Sequence, residues 1–241
     1  MTFENENKQE KTVLPFYADG YPGIVFQVTD NGLYVLPHNK KMPDLFLFGQ
    51  TIQPIELSIE GSYRFIVFQL YPFVMNSFFG LNPKDLNDDC YDLTKLTGFD
   101  VKKIIARLTK QTGFENWNHI ITSFLFSVFQ ETKDKIDFTI HQALQLILKN
   151  NGQLTIKYLR EELHMTERTF ERRFTAQVGV TPKQFSKIIQ FQLSLLDIAD
   201  DDYCKLTDVV YNNGFADQSH FIRVFKTFTG KTPKKFSSKL Q

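Results

Sequence analysis

Two different spacings of apolar residues divide the chain. Between residues 24 and 70, apolar residues alternate with polar ones or form short β-branched and aromatic runs, which is the pattern of β-strands. Strands are predicted over residues 24–28, 33–36, 45–48, 55–59 and 63–70. The turn formers Asn31-Gly32 and Glu60-Gly61 predict tight hairpins between the first and the last strand pairs. Five or six strands are enough for a small barrel or sandwich.

Beyond residue 72, apolar residues recur every three or four positions, as in amphipathic helices. Short helices are predicted over residues 73–79 and 92–96, and longer ones over residues 101–108 and 115–130. Three roles remain possible for the two longer helices: they bridge two domains, pair with a second subunit or cover the exposed face of the sheet. The charged residues 131–137 follow as a predicted linker.

The C-terminal half contains an internal repeat with an offset of 51 residues. The first copy's Phe170, Arg172, Phe174, Gly179, Thr181, Pro182, Lys183 and Phe185 recur as Phe221, Arg223, Phe225, Gly230, Thr232, Pro233, Lys234 and Phe236. Each copy predicts a short helix followed by a longer one that ends at a Gly-x-Thr-Pro turn. We therefore expect two helix-turn-helix units, preceded by a helix over residues 138–149.

The longer helix of each unit has one apolar and one polar face. At about 100° per residue, Phe170 and Phe174 face the core, whereas Arg168, Thr169 and Arg172 face away from it. The outward positions of the second unit are Ser219, His220 and Arg223. Exposed arginines on a helix suit guanine O6 and N7 in a major groove, so the pattern predicts DNA binding.

The C-terminal half also resembles a known family. Residues 154–196 and 206–236 are similar to the double helix-turn-helix domain of AraC/XylS-type transcription regulators. The motifs that carry the resemblance are Gly214-Phe215-Ala216-Asp217-Gln218-Ser219-His220-Phe221, Arg223-Val224-Phe225-Lys226 and Gly230-Lys231-Thr232-Pro233. The resemblance implies seven helices, with residues 182–198 forming the helix that joins the two units. It further implies recognition helices in adjacent major-groove segments on one DNA face, and most often an activator that contacts RNA polymerase.

Carried over by position, the resemblance implies which side chains meet DNA. The expected base-reading residues are Arg168, Glu171, Arg172, Gln218, His220 and Arg223. Contacts to the DNA backbone are expected from Thr166, Lys183, Ser219, Lys226, Lys231 and Lys234. Backbone contacts add affinity that salt weakens, rather than sequence discrimination.

Four positions depart from the family pattern. Arg160 and Val210 stand where small alanines are usual, and Gln190 stands where arginine is common. His164 replaces a turn glycine, which tolerates a left-handed backbone more easily. The departures at 160 and 164 make the first unit the less standard of the two.

The net charge of +1 hides an asymmetry between the two halves. Residues 138–241 carry 15 Lys+Arg against 10 Asp+Glu, a net charge of +5, while residues 1–137 carry a net charge of −4. The positive excess lies with the repeat, as DNA binding favours. We predict an α+β protein with a β-rich sensor or oligomerisation domain over residues 12–132 and a helical DNA-binding domain over residues 138–241.

Other functional classes have little support in the sequence. Cys90 and Cys204 are far apart, and His38 is the only histidine before His119, so neither a disulfide framework nor a metal site is predicted. There is no glycine-rich phosphate loop and no recognisable catalytic arrangement, so we expect no enzyme and no cofactor. The polar N-terminus and the lack of a long apolar segment predict a cytoplasmic protein.

The β-rich half resembles the sensor domains of such regulators, which are commonly cupin-like barrels, through Tyr21-Pro22-Gly23 and Gly49-Gln50. The expected partners are promoter DNA, RNA polymerase, a small-molecule effector and a second subunit in a homodimer. The abundant aromatic residues are expected mainly to fill the core, and the alternative use for Phe26, Tyr34, Phe65 and Phe68 is to line a pocket for the effector. The alternative is that the repeated unit binds another protein and that the β-rich half only oligomerises.

Overall fold

Two antiparallel sheets fill the first half of the computed structural model, which describes residues 1–199 and 206–237. The strands are β1 (Thr2–Asn5), β2 (Lys11–Phe16), β3 (Gly23–Thr29), β4 (Leu33–Leu36), β5 (Lys40–Lys41), β6 (Leu45–Phe48), β7 (Ile55–Glu60), β8 (Tyr63–Gln69) and β9 (Cys90–Asp92). One sheet has the order β1-β8-β3-β6-β9 and the other β2-β7-β4-β5. The two sheets do not close into a barrel, so of the two expected architectures, barrel and sandwich, the structure shows the sandwich.

The two predicted hairpins are wrong, because both turns connect one sheet to the other. β3 pairs with β6 and β8, whereas β4 pairs with β5 and β7. The two turns bind each other: the backbone N–H and the hydroxyl of Ser62 donate to Asp30 Oδ2 at 3.0 and 2.7 Å, and Asn31 Nδ2 donates to the Glu60 carbonyl at 3.1 Å. The two turns therefore form one corner of the sandwich. The strands beside each turn pair with other strands and not with each other.

Three helices cover the outer face of the larger sheet: α1 (Val74–Ser77), α2 (Val101–Thr109) and α3 (Phe114–Thr132). Trp117 is buried against Phe26, with ring centroids 4.7 Å apart, and its indole N–H donates to the Leu108 carbonyl at 2.9 Å. Of the three uses considered for the longer helices, covering the sheet is therefore the one that the structure shows. Short 3₁₀ turns lie at Pro83–Leu86, Leu93–Lys95 and Lys133–Lys135.

The C-terminal half consists of seven helices in the described part, as the family resemblance implies. They are α4 (Phe138–Lys149), α5 (Ile156–Glu162), α6 (Glu167–Val178), α7 (Pro182–Ala199), α8 (Leu206–Asn212), α9 (Gln218–Thr229) and α10 (Pro233–Ser237). Helix α3 and a 3₁₀ turn occupy most of the predicted linker, and Asp137 caps α4 by accepting from the Ile140 N–H at 3.2 Å. The chain thus passes between the halves without an extended connection.

The β-rich half packs directly against the helical half. Ile52 contacts the apolar cores of both helix-turn-helix units, and Ala18 is buried in the core of the second. On α6, Gln177 accepts a hydrogen bond from the Ser77 hydroxyl at 3.0 Å, and Asn87 Nδ2 donates to the Gly179 carbonyl at 2.9 Å. Both units are therefore held by side chains of the first half.

Candidate nucleic-acid interface

Helix α6 presents three of the predicted base-reading residues to solvent: Arg168, Glu171 and Arg172. The helix starts at its predicted cap, where Thr166 Oγ1 accepts from the Thr169 N–H at 3.3 Å. It ends at Gly179, whose φ of +89° is the left-handed conformation that glycine tolerates. In the described part of the chain, neither Arg168 nor Arg172 forms an ion pair, so both guanidinium groups face solvent without a protein partner.

Arg173 behaves differently from the arginine before it. Its guanidinium binds the Asp137 carboxylate through Nε and Nη2, with N–O distances of 2.6, 2.8 and 3.0 Å. This bidentate pair ties α6 to the cap of α4. Arg173 therefore stabilises the packing of α6 against α4, whereas the neighbouring Arg172 is exposed and has no ion-pair partner among the described residues.

The phenylalanine stripes of both units form apolar cores, as the helical periodicity predicts. Phe170 and Phe174 are fully buried, with ring centroids 5.8 Å apart. In the second unit, Phe221 and Phe225 are also fully buried, 5.6 Å apart. These rings fix which face of each long helix remains outside.

Helix α9 repeats this arrangement, since Gln218, Ser219 and Arg223 are all exposed. Its predicted cap is also present, because Asp217 Oδ1 accepts from the His220 N–H at 2.7 Å. Arg223 lies 51 positions after Arg172, at the same place on the second long helix. Arg172 and Arg223 are therefore exposed at equivalent positions of the two units.

His220 departs from the outward position predicted for it, because its ring is half-buried and lies edge-on to Phe215, with centroids 5.8 Å apart. Its Nδ1 is buried and has no hydrogen-bond partner among the described residues. Burial lowers the pKa of this imidazole, and the positive charges of Lys187 and Arg223 lower it further. The helical wheel missed this contact because Phe215 belongs to the preceding turn.

A cleft of about 450 Å³ lies between the two units. Glu167 and Glu171 of α6 border it, as do Lys183 and Lys187 of α7 and His220 of α9. Helix α6 and, through His220, helix α9 thus border a common groove. Lys187 was missed by sequence reasoning, although it lies one helical turn after Lys183 and therefore on the same side of α7.

The predicted backbone contacts occupy different surroundings. Lys183, Lys226 and Lys234 are exposed. Lys231 is half-buried and lines a separate groove with Pro54 of the β-rich half. Its surroundings differ from those of the exposed lysines because the β-rich half adjoins it.

The departures from the family pattern have visible structural consequences. His164 adopts the left-handed conformation with a φ of +52°, where a glycine would be less strained. Arg160 is half-buried and its Nη2 lies 3.7 Å from Glu161 Oε1, while Val210 is buried in the core of the second unit. The left-handed backbone conformation at His164 thus lies in the turn between α5 and α6 of the first unit.

A second site is an apolar cavity of about 390 Å³ between the two sheets. Its walls include Val25, Phe46, Leu57, Phe65 and Val67, and its lining also includes Lys40, Asn87, Asp88 and Asp89. The Lys40 ammonium pairs with the Asp89 carboxylate. The cavity suits an apolar molecule that carries a polar group.

The pocket predicted from Phe26, Tyr34, Phe65 and Phe68 is wrong in three of its four residues. Only Phe65 lines the cavity, because side chains alternate between the two faces of a strand. Phe26 and Phe68 face the helices on the other side of the sheet. On β4, Val35 rather than Tyr34 lines the cavity.

Metal and membrane sites are not found in the described ranges. Residues 1–199 and 206–237 contain no group of three His, Cys, Asp or Glu side chains placed to hold a metal ion. No described helix is long and apolar enough to cross a membrane. Cys90 is a free thiol, and Cys204 lies outside the described residues.

Comparison with known proteins gives a match in each half of the chain. Residues 159–239 match a family described as a helix-turn-helix domain, and residues 1–92 match a domain of unknown function, DUF6597. Uncharacterised HTH-type transcriptional regulators of Staphylococcus aureus strains MSSA476 and N315 are each 31% identical over 101 residues, covering 42% of this chain. The matched region spans 13% of the length of these relatives. Both are named as transcriptional regulators and not as enzymes.

Solved structures share the fold over the whole chain. ToxT from Vibrio cholerae O395 has a TM-score of 0.51 at 15% identity, covering 100% of this chain and 96% of its own. A second ToxT crystal form has a TM-score of 0.50 at 16% identity, covering 95% of this chain and 97% of its own. At this identity the likeness establishes the two-domain fold.

Proposed function

We propose that this chain, whose C-terminal domain belongs to the AraC/XylS-type helix-turn-helix regulators, reads two adjacent major-groove segments of promoter DNA. The observation that carries the proposal is the pair Arg172 and Arg223, which are exposed at equivalent positions of two helices held by buried phenylalanines. Free guanidinium groups on such helices suit guanine edges. The proposal extends base reading to Arg168, Glu171 and Gln218, which are exposed on the same two helices.

The alternative is that the duplicated units bind another protein. Protein interfaces bury large apolar or aromatic anchors, whereas the outer faces of α6 and α9 present mainly charged and polar side chains. The exposed arginines of both helices, together with Lys226 of α9, suit a polyanion better. Lys183 and Lys187 line the cleft that Glu171 of α6 and His220 of α9 also border, and this position supports their assignment to the DNA backbone.

Binding of the full chain to its preferred duplex is expected to weaken steeply with salt. If Lys183, Lys187, Lys226, Lys231 and Lys234 each neutralise a phosphate, the slope of log K against log salt is about −4.5, at about −0.9 per phosphate. Fluorescence anisotropy across a salt series measures this slope.

The matched pair for the salt series is Lys183→Ala against Lys102→Ala, since Lys102 is exposed on α2 in the other half. The first change should reduce the slope by about 0.9 and the second should leave it unaltered. A flat salt response, or no retention of any duplex, would contradict DNA binding and favour a protein partner.

We further propose that the cavity between the sheets takes a small effector with an apolar body and a polar group that meets the Lys40–Asp89 pair. The apolar walls and the size of the cavity support this, since ligand sites usually have volumes of about 300–1,000 Å³. Activation through RNA polymerase is the mode that the family resemblance supports. Transcription in vitro from a bound promoter should then rise when the protein is added, and a fall would indicate repression.

Filling the cavity should block small-molecule binding. Val25→Phe places a larger ring in the cavity and is expected to weaken binding of the apolar anion anilinonaphthalene sulfonate at least about tenfold, because shape-matched pockets tolerate added bulk poorly. A fluorescence titration gives the affinity. Val28→Phe is the matched control, since Val28 lies on the same strand, is 39% exposed and does not line the cavity. Equal binding by both folded variants would contradict the proposed site.

A further inference from the structure

The turn between α8 and α9 receives two side-chain amides from outside the second unit. Gln153 Nε2 donates to the Asn212 carbonyl at 2.9 Å, and Gln190 Nε2 lies 3.4 Å from the Gly214 carbonyl. Gln153 precedes α5 in the first unit, and Gln190 is buried on the joining helix α7. The turn that leads into the second recognition helix is therefore attached to both the first unit and the connector.

Backbone geometry makes this junction tight. Gly214 has a φ of +73°, and a Cβ on it would lie 2.8 Å from Gln153 Cγ and 3.0 Å from Gln190 Nε2. Gly152, beside Gln153, has a φ of +71°, and its Cβ would lie 2.4 Å from the Ser186 carbonyl oxygen on α7. Both glycines allow backbone and side chains to approach more closely than other residues would permit.

The same turn is fixed from its inner side. Asn213 is buried and its Nδ2 donates to Asp197 Oδ2 at 2.6 Å and to the Val209 carbonyl at 2.9 Å. Asn212 at the end of α8 and the next two residues thus each have a partner on another segment. Only three positions separate Gly214 from Asp217, the cap of α9, so a shift of the turn would move the start of the recognition helix.

We propose that Gln153 and Gln190 are positioning residues that set the spacing between the two DNA segments read by α6 and α9. This rests on the proposed function, because spacing has meaning only if both helices enter grooves. Adding or removing one base pair displaces the second segment by about 3.4 Å and rotates it by about a tenth of a turn. A junction fixed by hydrogen bonds and close packing holds α6 and α9 at one separation, so the chain binds DNA with one spacing between the two segments. If the junction is loosened, DNA with a neighbouring spacing is bound as well.

The test uses the full chain and three duplexes. Their two recognised segments are first obtained by selection with the wild-type chain, and the spacer between them is then kept, shortened by one base pair or lengthened by one. The wild-type chain should prefer the selected spacing at least about tenfold. Gln153→Glu keeps the shape of the side chain and removes its donor, so this preference should fall about three- to tenfold, the value of one hydrogen bond. Gln190→Ala should lower it similarly.

Gln177→Ala is the matched control, because Gln177 is hydrogen-bonded to Ser77 outside the junction. Its spacing preference should equal that of the wild type, and thermal melting verifies that each variant is folded. If the junction variants keep the wild-type preference, or if the wild type binds all three spacings equally, the positioning role is wrong while DNA binding stands. If the wild type retains no duplex specifically, both this role and the proposed function are overturned.

Discussion

Arg172→Ala and Arg223→Ala should each cost about 1–3 kcal/mol of DNA-binding free energy and relax base preference at separate positions. Both side chains are exposed on helices whose opposite faces are buried, and neither forms an ion pair within the described ranges. Truncation removes the guanidinium group that is proposed to contact guanine, whereas the fold keeps its core. Anisotropy titrations against duplexes with single base changes measure the effect.

Arg107→Ala provides the matched control for these two variants. Arg107 is exposed on α2 in the β-rich half, so its removal changes the net charge by the same amount without altering α6 or α9. Its affinity and base preference should stay close to the wild-type values. If Arg172→Ala weakens binding uniformly over all sequences, that arginine contacts phosphate and does not read a base.

Phe225→Ala should lower the free energy of unfolding by about 3–5 kcal/mol, the usual cost of removing a buried phenylalanine ring. Phe225 is fully buried at the centre of the second unit. Its ring centroid lies 5.5 Å from that of Phe191, 5.6 Å from that of Phe221 and 5.4 Å from that of Phe236. Truncation therefore leaves a cavity between three helices. Urea unfolding followed by circular dichroism gives the difference.

Phe126→Ala is the control for this change, because Phe126 is 60% exposed on α3. Its effect should stay within about 0.5 kcal/mol. Equal losses for the two substitutions would show that the phenylalanines of the second unit do not form its core.

The helical half was predictable because its signals are local. Thr155, Thr166 and Asp217 each accept a backbone N–H at the start of a helix, as their positions before periodic apolar residues indicate. Gly179 and Gly230 end α6 and α9 in the left-handed conformation. Caps and apolar periodicity depend on residues within a turn or two, so one sequence is enough to identify them.

The sheets were harder to predict because strand pairing is non-local. Asn31-Gly32 marks a turn correctly, but β3 pairs with β6 and with β8, some forty residues later, and not with β4. Strands β1 and β2 were missed because their residues alternate between exposed and half-buried, which leaves a weak apolar pattern. Sequence reasoning placed no contact between Gln153 and the second unit, because that contact depends on how the units pack.

Selection of duplexes from a random pool tests the central claim most directly, using the wild-type chain, Arg172→Ala and Arg223→Ala. The wild type should enrich one site with two conserved segments about one helical turn apart. Arg172→Ala should lose sequence preference in one segment and Arg223→Ala in the other. Failure to enrich any site, or loss of the same segment by both variants, would contradict an account in which each unit reads its own stretch of DNA.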